Sequence, residues 1–395
     1  MKNIDFKKLG IGTRSVHSGE RNRERENRSI TIPIEQTAAY YFENTQQIID
    51  FYQGKLKGIK YGRYGCPTQH AVEEKMADLD GGERALVFAS GMSAITTSIL
   101  ALLKNGDHLV FVGDCYRNTR RFFLDILPRY GIQSTEIQIG EDINRCIKKN
   151  TKVFFFEIPT NPFLRIIDIG ETINFLKKKE IISIVDSTFA SPINIRPLEY
   201  SVDLVIHSAT KYLGGHHDLL AGVVIGKSNL IDTIQKQRDI LGGIIDPHTS
   251  YLLLRSLQTL EIRMEAHNKR GITVAKYLEK NPMVKKVWYP GLKSHPDYLL
   301  AKKQMTGFGG VVTFSLKASE KQTSKFIDSL KIPYIATNFC GPQSLIEQHV
   351  ILTFYNDRKT ADKYGIKGNV IRYSSGFESQ EDVLNDFKKA FSKIK

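Results

Sequence analysis

Residues 206–215 read IHSATKYLGG. An apolar, strand-like run, Leu204 to Ile206, leads into the small segment Ser208-Ala209-Thr210-Lys211-Tyr212 and then a double glycine. A lysine at the mouth of a buried strand is an unusual core residue. Desolvation lowers the pKa of an amine and makes it a nucleophile able to form an imine with an aldehyde. The hydroxyls of Ser208 and Thr210 have the chemistry to hold a phosphate. An ordinary surface lysine is the competing reading, so the rest of the chain must supply partners.

Outward from this stretch, strand-like and helix-like patterns alternate. HAVEEKMADLDG (70–81) reads as an amphipathic helix closed by Gly81-Gly82, ALVFAS (85–90) as a buried strand, and GMSAITTSILALLKNG (91–106) as a helix. HLVFVGD, RRFFLDILPRYG, STEIQI, KVFFFEIP, IGETINFLKKKE, IISIVDSTF and DLVIHSAT continue the alternation up to residue 210. Such alternation predicts an α/β fold with a mostly parallel sheet and crossover helices. From about 228 the pattern turns helical, with a long amphipathic stretch from Tyr251 to Glu279. After a break at VWYPGLKSHP (287–296), a helix, the strand GGVVTFSL, a further helix, short strands and a final helix predict a smaller α+β domain. Residues 1–70 show little periodicity and read as an irregular arm that wraps another subunit. The expected organisation is an arm (1–70), a large α/β domain (71–260) and a small C-terminal domain (261–395).

Composition narrows the function. The chain has 395 residues and a net charge of +14, but its basic residues are scattered in pairs and triplets such as Lys177-Lys178-Lys179. No basic motif is interleaved with aromatics, so nucleic acid is not an expected partner. The run ERNRERENR (20–28) is mixed in sign and is expected to be solvated and mobile. No apolar run approaches a membrane span and the N-terminus lacks a signal-peptide core, which predicts a soluble cytoplasmic protein. Four scattered cysteines, Cys66, Cys115, Cys146 and Cys340, argue against a zinc site and a disulfide framework.

In a parallel sheet, ligands bind beyond the carboxyl ends of the strands. Those ends carry Ser90-Gly91-Met92, Asp114-Cys115-Tyr116, Glu157 with Asn161, Asp186, and Ser208, Thr210 and Lys211. Ser90 to Met92 open a helix, whose N–H groups can hold a phosphate or simply carry a capping serine. Tyr116 can stack on an aromatic ring or merely pack. Asp186 ends an apolar strand, where a carboxylate needs a cationic partner. A lysine for an aldehyde, an aspartate for a pyridinium, a stacking aromatic and a phosphate cup together specify pyridoxal phosphate.

At these residues the chain resembles the Cys/Met-metabolism family of pyridoxal-phosphate enzymes, most closely plant-type cystathionine γ-synthase. The resemblance runs from about His17 to the final helix and rests on YGRYGCPT, ASGM, DCYRNTR, IPTNPFLR, HSATKYLGGH, the stretch from HPDYLLAKKQMTGFGGVV and SLKIPYIA. It implies the aspartate-aminotransferase-like fold (fold type I) and a homotetramer, a dimer of dimers with shared active sites. It implies that Lys211 binds the cofactor covalently, Asp186 pairs with the ring nitrogen, Tyr116 stacks and serves in proton transfer, and Asn161 contacts the ring hydroxyl. Gly91, Met92, Ser208 and Thr210 would hold the phosphate, joined by Tyr61 and Arg63 of the neighbouring subunit. Arg372 would clamp the substrate α-carboxylate, which a bidentate guanidinium suits.

Departures from the family pattern fall where specificity is set. Asn118 replaces a lysine suited to a phosphorylated homoserine, Asn338 replaces a serine, and Gln343 replaces a glutamate that faces the amino end of a cysteine. Cys66 replaces an asparagine and His349 a proline. These changes predict retained cofactor and γ-carbon chemistry with an altered amino-acid substrate pair. The expected activity is γ-replacement on an O-activated homoserine with a thiol or other nucleophile. A γ- or β-lyase releasing a 2-oxo acid and ammonia is the alternative among enzymes, and a non-catalytic cofactor-binding protein the alternative of another class.

Overall fold

The computed structural model describes residues 5–394 apart from positions 24, 26 and 27. Seven strands form the larger sheet: β1 (Arg84–Phe88), β2 (His108–Val112), β3 (Gln133–Ile137), β4 (Thr151–Glu157), β5 (Ile182–Asp186), β6 (Leu204–Ser208) and β7 (Gly222–Gly226). Their spatial order is β1-β7-β6-β5-β4-β2-β3. β2 to β6 are mutually parallel, whereas β7 runs antiparallel to both β6 and β1. This is the expected α/β fold. β7 is unanticipated, because GVVIG is five residues long and gives no readable period.

The phenylalanine run of β4 shows why these strands read as unbroken apolar runs. Successive side chains point to opposite faces. Val153 and Phe155 pack with Phe111 and Phe123 on one face, and Phe154 and Phe156 with Ile173 and Leu176 on the other. Helices cover both faces, so the centre of β4, Val153 to Phe156, is apolar throughout and its next residue, Glu157, ends the strand. There Asp114, Glu157, Asp186 and Ser208 come together.

The second sheet contains β8 (Val284–Trp288), β9 (Val311–Leu316), β10 (Tyr334–Ile335), β11 (Leu345–Gln348) and β12 (Val370–Ser374), ordered β10-β11-β12-β9-β8. Phe314, Phe326, Phe387 and Phe391 lie in its core. The expected break at 287–296 thus begins inside a strand. The stretch 251–279 is two helices, Pro247–Leu257 and Leu260–Glu279, interrupted at Gln258 and Thr259.

The first 70 residues hold more regular structure than their weak periodicity predicts. They include two helices, Ile11–His17 and Thr45–Tyr52, and the first docks on its own chain. Arg14 bonds Asp78 at 3.0 Å, and the fully buried Lys75 meets Glu20 at 2.6 Å and the Ser15 carbonyl at 2.6 Å. The run from Glu20 to Arg28 therefore starts with a buried, paired carboxylate instead of a solvated one, and positions 24, 26 and 27 of it lie outside the described residues. Beyond it Ile32 is buried in the core, while Ile30 and Tyr41 are open to solvent. No helix among the described residues is long and apolar enough to cross a membrane.

Candidate active site

A cavity of about 420 Å³ opens at the carboxyl ends of β2, β4, β5 and β6, with residues of the second sheet and of the segment 347–366 on its far side. Lys211 follows β6 into this cavity. Its Nζ donates to Asn338 Oδ1 at 2.5 Å and lies 4.7 Å from the Phe339 ring. Burial, helped by the Arg372 charge, lowers the amine to about 8. An amine in this range has an appreciable unprotonated fraction near physiological pH and can serve as nucleophile and base.

Asp186 is the last residue of β5. Thr188 donates to its Oδ1 twice, from the backbone N–H at 2.9 Å and the hydroxyl at 2.5 Å. Thr188 Oγ1 also accepts from the Ser208 N–H at 2.8 Å, which ties the ends of β5 and β6 together. Asp186 Oδ2 makes no hydrogen bond among the described residues. Burial raises the Asp186 carboxyl despite these donors, so a cation facing Oδ2 would strongly favour its charged form.

The helix Gly91–Leu102 begins at the cavity wall. Ser90 caps it by accepting the Ser93 N–H at 3.1 Å, which leaves the first-turn N–H groups of Gly91 and Met92 free for a ligand. Glycine is required here: a Cβ at position 91 would stand 2.8 Å from the Ser208 Cβ. Ser208 and Thr210 line the same wall. A cradle of hydroxyls and N–H groups results.

Arg372, on β12, lies opposite Glu347 of β11 in the sheet register. The guanidinium reaches Glu347 at 3.1 Å and donates to Asn161 Oδ1 at 3.0 Å. Burial alone would raise the Glu347 carboxyl, but Arg372 and His349 hold it below its usual value. His349 Nδ1 bonds the same carboxylate and its ring lines the cavity. Tyr116 is half-exposed; its backbone N–H donates to Glu157 at 2.7 Å, and its hydroxyl accepts from Asn118 Nδ2 at 3.1 Å.

Ser90, Gly91, Met92, Tyr116, Asn118, Asn161, Asp186, Ser208, Thr210, Lys211 and Arg372 thus share one cavity. Asn338 contacts Lys211 from the side. Gln343 does not join them: its side chain is exposed and outside the cavity lining. Tyr61 and Arg63 also stand apart, on the exposed arm, with the guanidinium 5.6 Å from the Tyr61 ring. Sequence reasoning passed over Thr188, Glu347, Phe339 and His217. The signal for Glu347 was its place beside an arginine strand, which is visible only once β11 and β12 are paired.

A sequence model of the family described as Cys/Met metabolism PLP-dependent enzymes matches residues 12–392. The chain belongs to this family. Pyridoxal phosphate is the family's cofactor, and the protein is a pyridoxal-phosphate-dependent enzyme. Cystathionine γ-synthase 1 of Arabidopsis thaliana is 43% identical over 388 residues, 97% of this chain and 69% of that protein. A cystathionine β-lyase of Lactococcus lactis is 36% identical over 97% of this chain and 99% of its own length. The solved cystathionine γ-lyase of Lactobacillus plantarum, complexed with L-serine, superposes with a TM-score of 0.91 at 32% identity, covering 98% of this chain and 99% of that one. The cavity of this chain fits the family cofactor on its own terms. It offers an amine held at about 8, a carboxylate with a free oxygen, and a helix-start cradle that a Cβ would fill.

Proposed function

We propose that this enzyme exchanges the γ-substituent of an O-activated homoserine-type amino acid for a thiol or another nucleophile. The likeness to a plant cystathionine γ-synthase over 97% of the chain carries this reading. Bound pyridoxal phosphate supplies the electron sink that makes the proton on the amino-bearing carbon removable. Asp186 Oδ2 would hold the ring nitrogen, and the cradle from Ser90 to Met92, with Ser208 and Thr210, the phosphate. Tyr116 would cover the ring face and Asn161 its hydroxyl. Arg372, braced by Glu347 and Asn161, would bind the substrate carboxylate through its remaining donors. Lys211 Nζ would take the proton from the substrate Cα and return it farther along the chain, as its low pKa allows.

The carboxylates lining the cavity are Asp114, Glu157, Asp186 and Glu347. Asp114 is bonded by Thr160, Glu347 by Arg372 and His349, and Glu157 and Asp186 lie deep on the strand ends. None stands ready at the mouth for the ammonium of a second amino acid. This favours a nucleophile without an ammonium group, and equally supports elimination as the second reading. Mass-spectrometric product analysis with O-phospho-, O-acetyl- and O-succinylhomoserine, each with cysteine and with simple thiols, separates the outcomes. Replacement gives a condensed amino acid, whereas elimination gives 2-oxobutanoate and ammonia.

The proposal extends to organisation. The arm, residues 1–70, would carry Tyr61 and Arg63 to the phosphate of a neighbouring subunit in a homotetramer, with 71–260 and 261–395 as its large and small domains. The exposure of Tyr61, and the place of both side chains outside their own cavity, support this. Four free thiols suit a reducing compartment such as the cytoplasm.

A further inference from the structure

His217 lies six positions beyond Lys211, in the loop after β6, with its backbone at a φ of +62°. A non-glycine residue rarely adopts this left-handed conformation, and it persists only where surrounding contacts impose it. Here the contacts are visible. His217 Nδ1 lies 2.8 Å from Asn338 Nδ2, and Asn338 Oδ1 accepts from Lys211 Nζ at 2.5 Å. The imidazole occupies space that residue 341 leaves empty: a Cβ on Gly341 would come within 2.1 Å of its Nε2. That Nε2 is buried and has no hydrogen-bond partner among the described residues. The side-chain hydrogen bond of the ring is thus the one leading to the lysine, with the Gln343 backbone beside it.

A carboxamide has a donating end and an accepting end. Whichever faces His217 decides which faces Lys211. Nδ1 accepts in the neutral tautomer that carries its proton on Nε2, so there it draws Nδ2 and turns Oδ1 toward the amine. With the amide reversed, two N–H groups would point at the lysine ammonium. Burial, helped by Lys211, lowers the His217 pKa and keeps the ring neutral. The titratable groups facing it are Lys211, His216 and Asp218, and the opposing loop contributes the Gln343 backbone.

We propose that His217 is a positioning residue for Lys211: it sets the orientation of the Asn338 carboxamide so that Oδ1 receives the free lysine amine and parks it between proton transfers. This rests on Lys211 as the reacting amine. It does not depend on which γ-substituent or nucleophile is used, so a failed substrate panel would overturn the proposed reaction and leave this relay standing.

The test uses the full chain stripped of cofactor. The apparent pKa of Lys211 is read from the pH dependence of its labelling by an amine-reactive ester, followed by peptide mass spectrometry. His217→Phe is expected to lower that pKa by about one unit, the worth of one oriented hydrogen bond to the ammonium. His217→Gln, which can still accept from Nδ2, is expected to restore at least half of the shift. Gly341→Ala displaces the ring without altering it and should reproduce the His217→Phe shift, which covers the case of a poorly folding His217→Phe. Asn338→Leu should give the same shift, and the double variant His217→Phe with Asn338→Leu no more than the single ones. An unchanged Lys211 pKa in both His217→Phe and Gly341→Ala, or shifts that add in the double variant, would overturn the proposal.

Discussion

Glu157 and Asp186 face each other in register at the ends of the parallel strands β4 and β5, and both carboxyls are enclosed. Burial raises both, and the Asp186 charge raises Glu157 further. Asp186 receives two bonds from Thr188 and Glu157 one from the Tyr116 N–H. The aspartate is therefore the better anion, and Glu157 keeps the proton. A carboxyl raised in the folded state favours folding below its ordinary value of 4.5, and that contribution is lost as the pH rises through the folded value. Replacing Glu157 with glutamine should remove this loss. Thermal melting of cofactor-free protein over a pH series should show Glu157→Gln gaining on the parent as the pH climbs above 4.5; a constant difference would contradict the assignment.

The ion pair of Lys75 and Glu20 makes a stability prediction. Lys75 is fully buried and also donates to the Ser15 carbonyl, while burial pushes its pKa down. Glu20→Ala strands a buried ammonium and should cost about 3–5 kcal/mol, read by denaturant unfolding. Lys75→Met together with Glu20→Leu should recover most of that loss, since buried pairs exchange well for apolar residues of similar size.

Arg372 separates binding from chemistry. Arg372→Lys keeps the charge but loses the planar fork that spans Glu347, Asn161 and a substrate carboxylate. A lost charged hydrogen bond is worth about 1.5–3 kcal/mol, so KM should rise roughly 10- to 100-fold with a smaller change in kcat. Steady-state kinetics check this.

Much of this site was legible in the sequence because parallel strands, buried on both faces, read as mainly apolar runs whose carboxyl ends carry the functional polar residues. Asp186 after IISIV and Lys211 after LVIHSAT stand out for that reason. Other features depend on tertiary contacts that leave no local pattern. β7 is a short run between glycines, the docked helix Ile11–His17 is only two turns long, and Lys75 and Glu20 read as surface charges until they meet. Gln343 lies in the aperiodic loop before β11, where only the folded path of the chain decides which side chains face the cavity.

That placement revises the specificity argument. With its side chain exposed, Gln343→Glu should leave the use of cysteine unchanged. Asn118, inside the cavity and bonded to the Tyr116 hydroxyl, is the stronger determinant. Asn118→Lys should improve kcat/KM for O-phosphohomoserine relative to O-acetylhomoserine by about tenfold, the worth of one charge-assisted bond. Paired kinetics on the two esters decide between the positions.

The central claim is that Lys211 is the amine on which the cofactor and the chemistry depend. Holoenzyme treated with borohydride, digested and mapped by mass spectrometry tests it most directly. The pyridoxyl group should be fixed on the peptide containing Lys211, and Lys211→Ala should carry none and lose activity by at least about a thousandfold. A pyridoxyl group on a different lysine, or full turnover by Lys211→Ala, would contradict the account.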